Sequence, residues 1–422
     1  MSNTMAVFSL IFTLSTTFSL LLLLLLLPHC IDAQPLKVCK FDAIYQLGDS
    51  LSDTGNLIRE VPTSTCARLP YGQNFVNNAT GRCSNGMLMI DYFAQAAGLP
   101  FLHPYLDRDT SVNGSHGENF AVAGAAALPT EVLVKKNISV VATNSSLNVQ
   151  LDWMSTYFNG ICLNAEDCAE KLKTALFMVG EIGGNDFNFA LVQGKPIEEL
   201  RNLVPEVVIA IKDAVTRIIG YGATRVVVPG NFPIGCLPIF LTALQTNNST
   251  AYDEFHCLKG MNDFAIYYND QLKQALEGLR KENPKVAVAY GDYYNAFQSV
   301  YRNASLLGFD IESLQKACCG AGGLRKENPK VAVAYGDYYN AFQSVYRNAS
   351  LLGFDIESLQ KACCGAGGDY DFTLRKGCGD PDVPVCPNPD KRIIWDGVHL
   401  TQQAYKYISD WLIRDILPDL HC

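Results

Sequence analysis

The stretch FDAIYQLGDSLSDTGN, Phe41 to Asn56, decides how the chain is read. An apolar segment, Ala43–Leu47, runs into a crowd of small and acidic residues, with Ser50 set between Asp49 and Leu51 just after Gly48. Gly, Asp, Ser and Asn are turn residues, so the end of a buried strand alone would account for them. The alternative is a nucleophilic serine held at a strand-to-helix turn. That reading requires three things elsewhere in the chain: a base, an acid to orient it, and donors for an oxyanion.

Working outward, short apolar runs alternate with helical patterns. Strands are expected at Ala43–Leu47, Asn119–Ala123, Ala175–Val179, Arg225–Val228 and Val286–Tyr290, the last recurring as Val331–Tyr335. Apolar residues fall at helical spacing over Ile197–Ile219, Ala265–Leu279 and Gln402–Ile416. This alternation indicates an α/β fold with a parallel sheet covered on both faces. Ligands of such sheets bind beyond the carboxyl ends of the strands.

Chemistry-bearing residues stand at those ends. After the first strand comes GDSLSDTGN, after the second AGAA (Ala123–Ala126), and after the third GEIGGNDF (Gly180–Phe187). WDGVH (Trp395–His399) precedes the last helix. Of the six histidines, His399 has an acid, Asp396, three residues before it on a glycine-containing loop short enough to fold the carboxylate toward Nδ1. The backbone N–H groups of Ser50 and Gly124 and the side-chain amide of Asn185 are candidate oxyanion donors, each commonly worth about 2.7–4 kcal/mol. Gly124 suits that task because an oxygen can approach a backbone that lacks Cβ. Each residue alone has an ordinary structural explanation as a turn former or cap. Their joint occurrence, each at a strand or helix end, favours catalysis by Ser50, Asp396 and His399.

Composition narrows the setting. The chain has 422 residues, 48% hydrophobic and 18% charged, enough for a large core. Its net charge of −9, with no basic stripe, argues against nucleic acid as a partner. The apolar run from Ala6 to Leu27, broken by Pro28 and followed by Ala33, reads as a secretory signal peptide over residues 1–33. The expectation is a single domain over 34–422, without a membrane span after cleavage. Fifteen cysteines and no CxxC pair favour disulfides over a metal centre. Glycosylation tripeptides begin at Asn78, Asn113, Asn137, Asn144, Asn247, Asn248, Asn303 and Asn348. A secreted, monomeric glycoprotein is expected, with the vacuole as the other destination of the same route.

Leu279–Gly323 recurs without a difference as Leu324–Gly368. Solenoid repeats diverge and occur in several copies; two identical copies indicate a recent duplication or a sequence-assembly error instead. Removing one 45-residue copy leaves 377 residues. Both copies cannot occupy one edge of a five-stranded sheet, so one is expected to loop out or to add as an extra strand.

The blocks GDSLSDTGN, NFAVAGA, GGND and WDGVH, with PYG, GRCSNG, VPGNFPIGC and VPVCPNP between them, resemble the plant GDSL esterase/lipase family of SGNH hydrolases. The resemblance covers essentially the whole mature chain. It implies a flavodoxin-like three-layer α/β/α sandwich with about five parallel strands, and no cofactor. It also implies Ser50 as nucleophile, Gly124 and Asn185 as oxyanion donors, His399 as base and Asp396 as its orienter. FDAIYQLGDSLSDTGNLIR and GRCSNGMLMIDYFAQAAGLP resemble members that act on esters of small specialised metabolites, such as an acetylated alkaloid. The implied partner is a small-molecule ester. A transacylase, a lipase and a non-catalytic binding protein on the same scaffold are the alternatives.

Overall fold

The computed structural model describes residues 34–107, 116–140, 142–253, 255–289, 335–336 and 338–422. Residues 1–33, expected as a signal peptide, with Asn113, Asn303 and most of the first repeat copy, lie outside the described residues. A parallel sheet runs in the order β2 (Gly117–Asn119), β1 (Ile44–Leu47), β3 (Leu176–Val179), β4 (Arg225–Pro229), β5 (Ala287–Ala289). A short strand β6 (Tyr335–Gly336) also pairs with β4. All four residues of β1 and of β3 are buried, as expected for central strands covered on both faces.

One face carries α2 (Leu147–Ile161), α3 (Gly184–Val192), α4 (Ile197–Gly220) and α6 (Lys259–Glu282); α5 (Pro238–Ala243) lies just beyond β4. The other carries α1 (Met89–Ala97), α7 (Tyr338–Arg347) and α8 (Gln402–Ile416). The architecture is three-layer α/β/α. The buried stripe of α4, Leu200, Leu203, Val204, Val207, Val208, Ile211, Ala214, Val215 and Ile218, follows the helical period that its sequence announces. On the opposite layer Arg82 and Asp91 form a buried bidentate pair at 2.7 and 2.8 Å. Asp91 also accepts the Leu88 N–H at 2.8 Å, so one carboxylate caps α1 and anchors the preceding loop.

Two boundaries differ from the sequence expectation. The second strand lies at Gly117–Asn119, and Phe120–Ala123 continues as extended chain bonded on one side only, Phe120 N–H to Gln46 O and Val122 N–H to Gly48 O. On the other side the Asn56 amide takes the carbonyls of Asn119 and Ala121 at 2.8 Å each, and the Asn119 side chain takes the Ala121 N–H. Helix α6 starts six residues before the expected Ala265, because its first turns are polar and bury Asn262, whose Oδ1 accepts the Gly235 N–H at 3.0 Å.

The described residues place the start of the first copy and a short strand of the second against the same neighbour, β4. Ala287, Val288 and Ala289 pair with Arg225, Val226 and Val227; Val228 and Pro229 then pair with Tyr335 and Gly336. Tyr335 is the second-copy counterpart of Tyr290. One line of strand along β4 is therefore built from the start of the first copy and the continuation of the second. The last turn of α6 belongs to the first copy, whereas α7, Cys363 and Cys364 belong to the second.

Among the described residues, six disulfides join Cys39 to Cys422, Cys66 to Cys83, Cys162 to Cys168, Cys236 to Cys257, Cys363 to Cys386 and Cys364 to Cys378. The first closes the chain near its two ends. Cys30, Cys318 and Cys319 lie outside the described residues. No helix of the described residues is long and apolar enough to cross a membrane.

Candidate active site

At the carboxyl end of β1, Gln150 of α2 clamps Gly48, its amide and carbonyl each bonding the Gly48 backbone at 2.9 Å. A Cβ at Gly48 would stand 2.6 Å from Ser52 Oγ and 2.9 Å from Glu181 O, so no larger residue fits this turn. The Asp49 carbonyl accepts the N–H groups of Ser52 and Asp53, and its Oδ1 accepts that of Leu51 at 3.0 Å. Ser50 stands at the crest of the turn, partly exposed, and neither its hydroxyl nor its N–H has a hydrogen-bond partner among the described residues.

The loop after β2 is stitched to this turn from both sides. Asp53 accepts N–H groups from Gly55, Asn56, Leu57 and, across the cleft, Ala123 at 2.8 Å. Gly124 follows with φ +82°, and a Cβ there would lie 2.2 Å from that of Ala142. Its N–H is likewise unpartnered among the described residues. From the first turn of α3, Asn185 Nδ2 donates to the Ala125 carbonyl at 3.0 Å and approaches Asp49 Oδ2 at 3.5 Å. The Asp186 carboxylate accepts the N–H groups of Ala127 and Leu128 at 2.8 and 2.9 Å. Side chains of the Ser50 turn and of α3 thus tie the segment around Gly124 to both elements.

The electrostatics of this floor are set by burial. Desolvation pushes Asp49 well above the ordinary carboxyl range; the Leu51 N–H opposes this, and nearby Glu181, Asp186 and Asp53 add to it. Burial likewise raises Asp53 against its four backbone donors, and raises Asp186 to about 7 against the N–H groups of Leu128 and Ala127. Burial thus opposes ionisation of all three floor carboxyls.

Asp396 and His399 meet on the loop before α8. Asp396 Oδ1 accepts the N–H groups of Val398 and His399 at 2.8 Å, and Oδ2 lies 2.8 Å from His399 Nδ1. Burial would raise the Asp396 carboxyl, but the His399 ring and these two N–H groups outweigh it and hold the group below its ordinary range. With Nδ1 engaged, Nε2 is buried and has no partner among the described residues.

The loop is braced on each flank. Cys363 and Cys364, each in a disulfide, donate their N–H groups to Ile394 O and Trp395 O, and Ile239 of α5 donates to Gly397 O. The Phe372 ring lies against Gly397, leaving no room there for a Cβ. The second repeat copy thus feeds directly into the support of the Asp396–His399 pair.

Sequence reasoning did not find Gln150, Asp53 and Asp186 as supports, nor Tyr71, whose hydroxyl donates to Asp396 Oδ2 at 2.8 Å. The only signal for Asp53 was its place in a turn-rich run. For Tyr71, 325 residues from its partner, there was none.

The parallel sheet of this three-layer fold places the candidate serine, glycine and asparagine after successive strands, at the carboxyl ends where ligands of such sheets bind. The sequence profile of the GDSL-like lipase/acylhydrolase family matches residues 44–412, and the chain belongs to that family. It is 40% identical to acetylajmalan esterase 1 of Rauvolfia serpentina over 388 residues, which cover 91% of this chain and 89% of the relative. Acetylajmalan esterase 2 of the same plant is 38% identical over 393 residues, covering 92% and 94%. A GDSL esterase/lipase of Arabidopsis thaliana is 37% identical over 388 residues, covering 90% and 88%. The protein is a carboxylic-ester hydrolase acting on a small-molecule ester.

Proposed function

We propose that the protein hydrolyses the ester of a small specialised metabolite, such as an acetylated alkaloid, through an acyl-enzyme on Ser50. The observation that carries this reading is the Asp396–His399 pair, bonded at 2.8 Å through Nδ1 with Nε2 left unpartnered. Ser50 Oγ attacks the carbonyl carbon while His399 Nε2 takes its proton, and Asp396 holds the imidazole in the tautomer this requires. The tetrahedral oxyanion is received by the N–H groups of Ser50 and Gly124 and by Asn185 Nδ2. His399 returns the proton to the departing alcohol. Water, deprotonated by the same ring, then releases the acid and regenerates Ser50.

The names of the Rauvolfia relatives, acetylajmalan esterases, support an acetyl ester as substrate. The test is turnover of a panel of acetyl-alkaloid, choline and acyl-lipid esters, with and without alcohol acceptors. Acid release from acetyl esters, independent of acceptor, supports the reading. Acyl transfer dominating in the presence of an acceptor would replace it with a transacylase, and exclusive action on long-chain lipids with a lipase.

We also infer that the protein travels the secretory route as a single-domain monomer, after removal of residues 1–33. Six disulfides support an oxidising compartment. Asn78, Asn137, Asn144, Asn247 and Asn248 are exposed and suited to carry glycans. Asn348 is 7% exposed and its amide donates to Ser344 O at 2.9 Å, so we assign no glycan to it in this fold.

A further inference from the structure

We propose that Tyr71 is a positioning residue of this site, its phenol O–H fixing the carboxylate that orients His399. The inference rests on the reading of Asp396 and His399 as orienter and base. Asp396 receives four polar contacts. Three come from its own loop: the N–H groups of Val398 and His399 on Oδ1, and His399 Nδ1 on Oδ2. These orient the carboxylate within its own loop, whose backbone is braced by Cys363, Cys364 and Ile239. The fourth, Tyr71 OH to Oδ2 at 2.8 Å, comes from a segment between β1 and α1.

That segment is pinned independently of Asp396. Tyr71 is 3% exposed, and its ring meets Trp395 edge to face, with centroids 6.1 Å apart and planes at 76°. The Tyr71 N–H donates to Arg68 O, and the Gly72 N–H to Ser84 O at 2.9 Å. Gly72 has φ +75° and lies so close to the Asn78 carbonyl that a Cβ would stand 2.2 Å from it. The Cys66–Cys83 disulfide closes the segment, and Arg68 pairs with Asp380 at 2.7 Å, near the approach to the catalytic loop.

A buried phenol needs an acceptor, and a carbonyl of the surrounding backbone would serve a purely packing role. This one takes the same carboxylate oxygen that the imidazole uses. Tyr71 thereby sets both the direction of that oxygen and the share of its charge available to His399. The titratable and charged groups facing this centre are His399, Tyr71 and Tyr405, with Arg68 acting on the Tyr71 hydroxyl.

Tyr71→Phe keeps the ring and removes the donor. Without it Oδ2 carries more charge and holds the imidazolium more firmly, so the acid limb of kcat/KM on p-nitrophenyl acetate moves to higher pH. We expect kcat to fall roughly 10-fold with KM within about 2-fold of wild type. Replacing Tyr71 with 3-fluorotyrosine, a stronger donor of nearly the same size, moves the limb the other way and covers the case in which the phenylalanine variant folds poorly. The ring nitrogens of His399, followed by 15N NMR against pH, report the same two displacements without turnover. They keep the test decisive even if Ser50→Ala retained activity and the proposed reaction were wrong. A lowered Tm with kcat, acid limb and His399 titration unchanged in both variants would overturn the proposal and leave Tyr71 a packing residue.

Discussion

The carboxylate of Asp53 accepts the N–H of Ala123 at 2.8 Å, across 70 residues of sequence. With the Val122 N–H to Gly48 O bond, this contact ties the turn that carries Ser50 to the loop that carries Gly124. Asn185 and Asp186 close the other side through Ala125, Ala127 and Leu128. Preorganisation of this kind lets donors meet a developing oxyanion without moving at the moment of reaction.

The oxyanion assignment gives the first expectation. Asn185→Ala lowers kcat by roughly 10²–10³ with little change in KM, because its amide matters most once charge develops. Steady-state kinetics on an acetyl ester checks this. A change confined to KM would make Asn185 a ground-state contact.

The buried floor carboxyls make stability depend on pH. Asp186, raised to about 7, contributes stability that is fully present below the ordinary carboxyl range and lost as pH rises through about 7. Asp49 and Asp53 are raised too and act in the same sense. Asp396, depressed, acts oppositely: its contribution is present above the ordinary range and lost as pH falls. Tm measured from pH 4 to 8 is expected to decline toward the neutral end. A Tm that climbs steadily to pH 8 would mean that these three carboxyls ionise without cost.

The Arg82–Asp91 pair is buried and bidentate, so removing one partner strands the other. Arg82→Met is expected to cost about 3–5 kcal/mol of stability, read as a lower denaturant midpoint at unchanged slope. A loss below about 1 kcal/mol, the range of an exposed pair, would contradict its placement in the core.

Much of this was legible in the sequence, for physical reasons. β1, β3 and β4 are short apolar runs ended by glycine, acid or proline, and α8 has a Thr401 cap and a regular apolar stripe, so their bounds fall within a residue or two. The positions singled out as site residues advertise themselves by type at strand and helix ends. Asp396 and His399, three apart on one loop, are indeed bonded. What stayed illegible are side-chain bonds to distant backbone, such as Asn56 to Ala121, which cut β2 short. Tyr71 to Asp396, a bond between two side chains 325 residues apart, is hidden for the same reason. Such contacts leave no period in the sequence.

The duplicated segment yields the next expectation. Because the copies are identical, deleting residues 290–334 or 324–368 produces the same 377-residue chain. In that chain Ala289 is followed directly by the tyrosine and glycine that already continue its line along β4. The shortened protein should be at least as active per molecule, better secreted and less aggregated, since a surplus VAVAY segment and Cys318–Cys319 are removed. Secreted yield, size-exclusion profile, free-thiol count and kcat decide it. Loss of folding or activity on deletion would make the extra 45 residues a required element.

Whether Ser50 is the nucleophile and His399 its base can be read from a covalent trap. The protein is treated with a fluorophosphonate, digested, and the labelled peptide identified by mass spectrometry, alongside Ser50→Ala and His399→Ala. One adduct is expected, on Ser50, abolished by Ser50→Ala, slowed by orders of magnitude in His399→Ala, and matched by loss of ester cleavage in both variants. An adduct on another residue, or ester cleavage undiminished in Ser50→Ala, would contradict these roles.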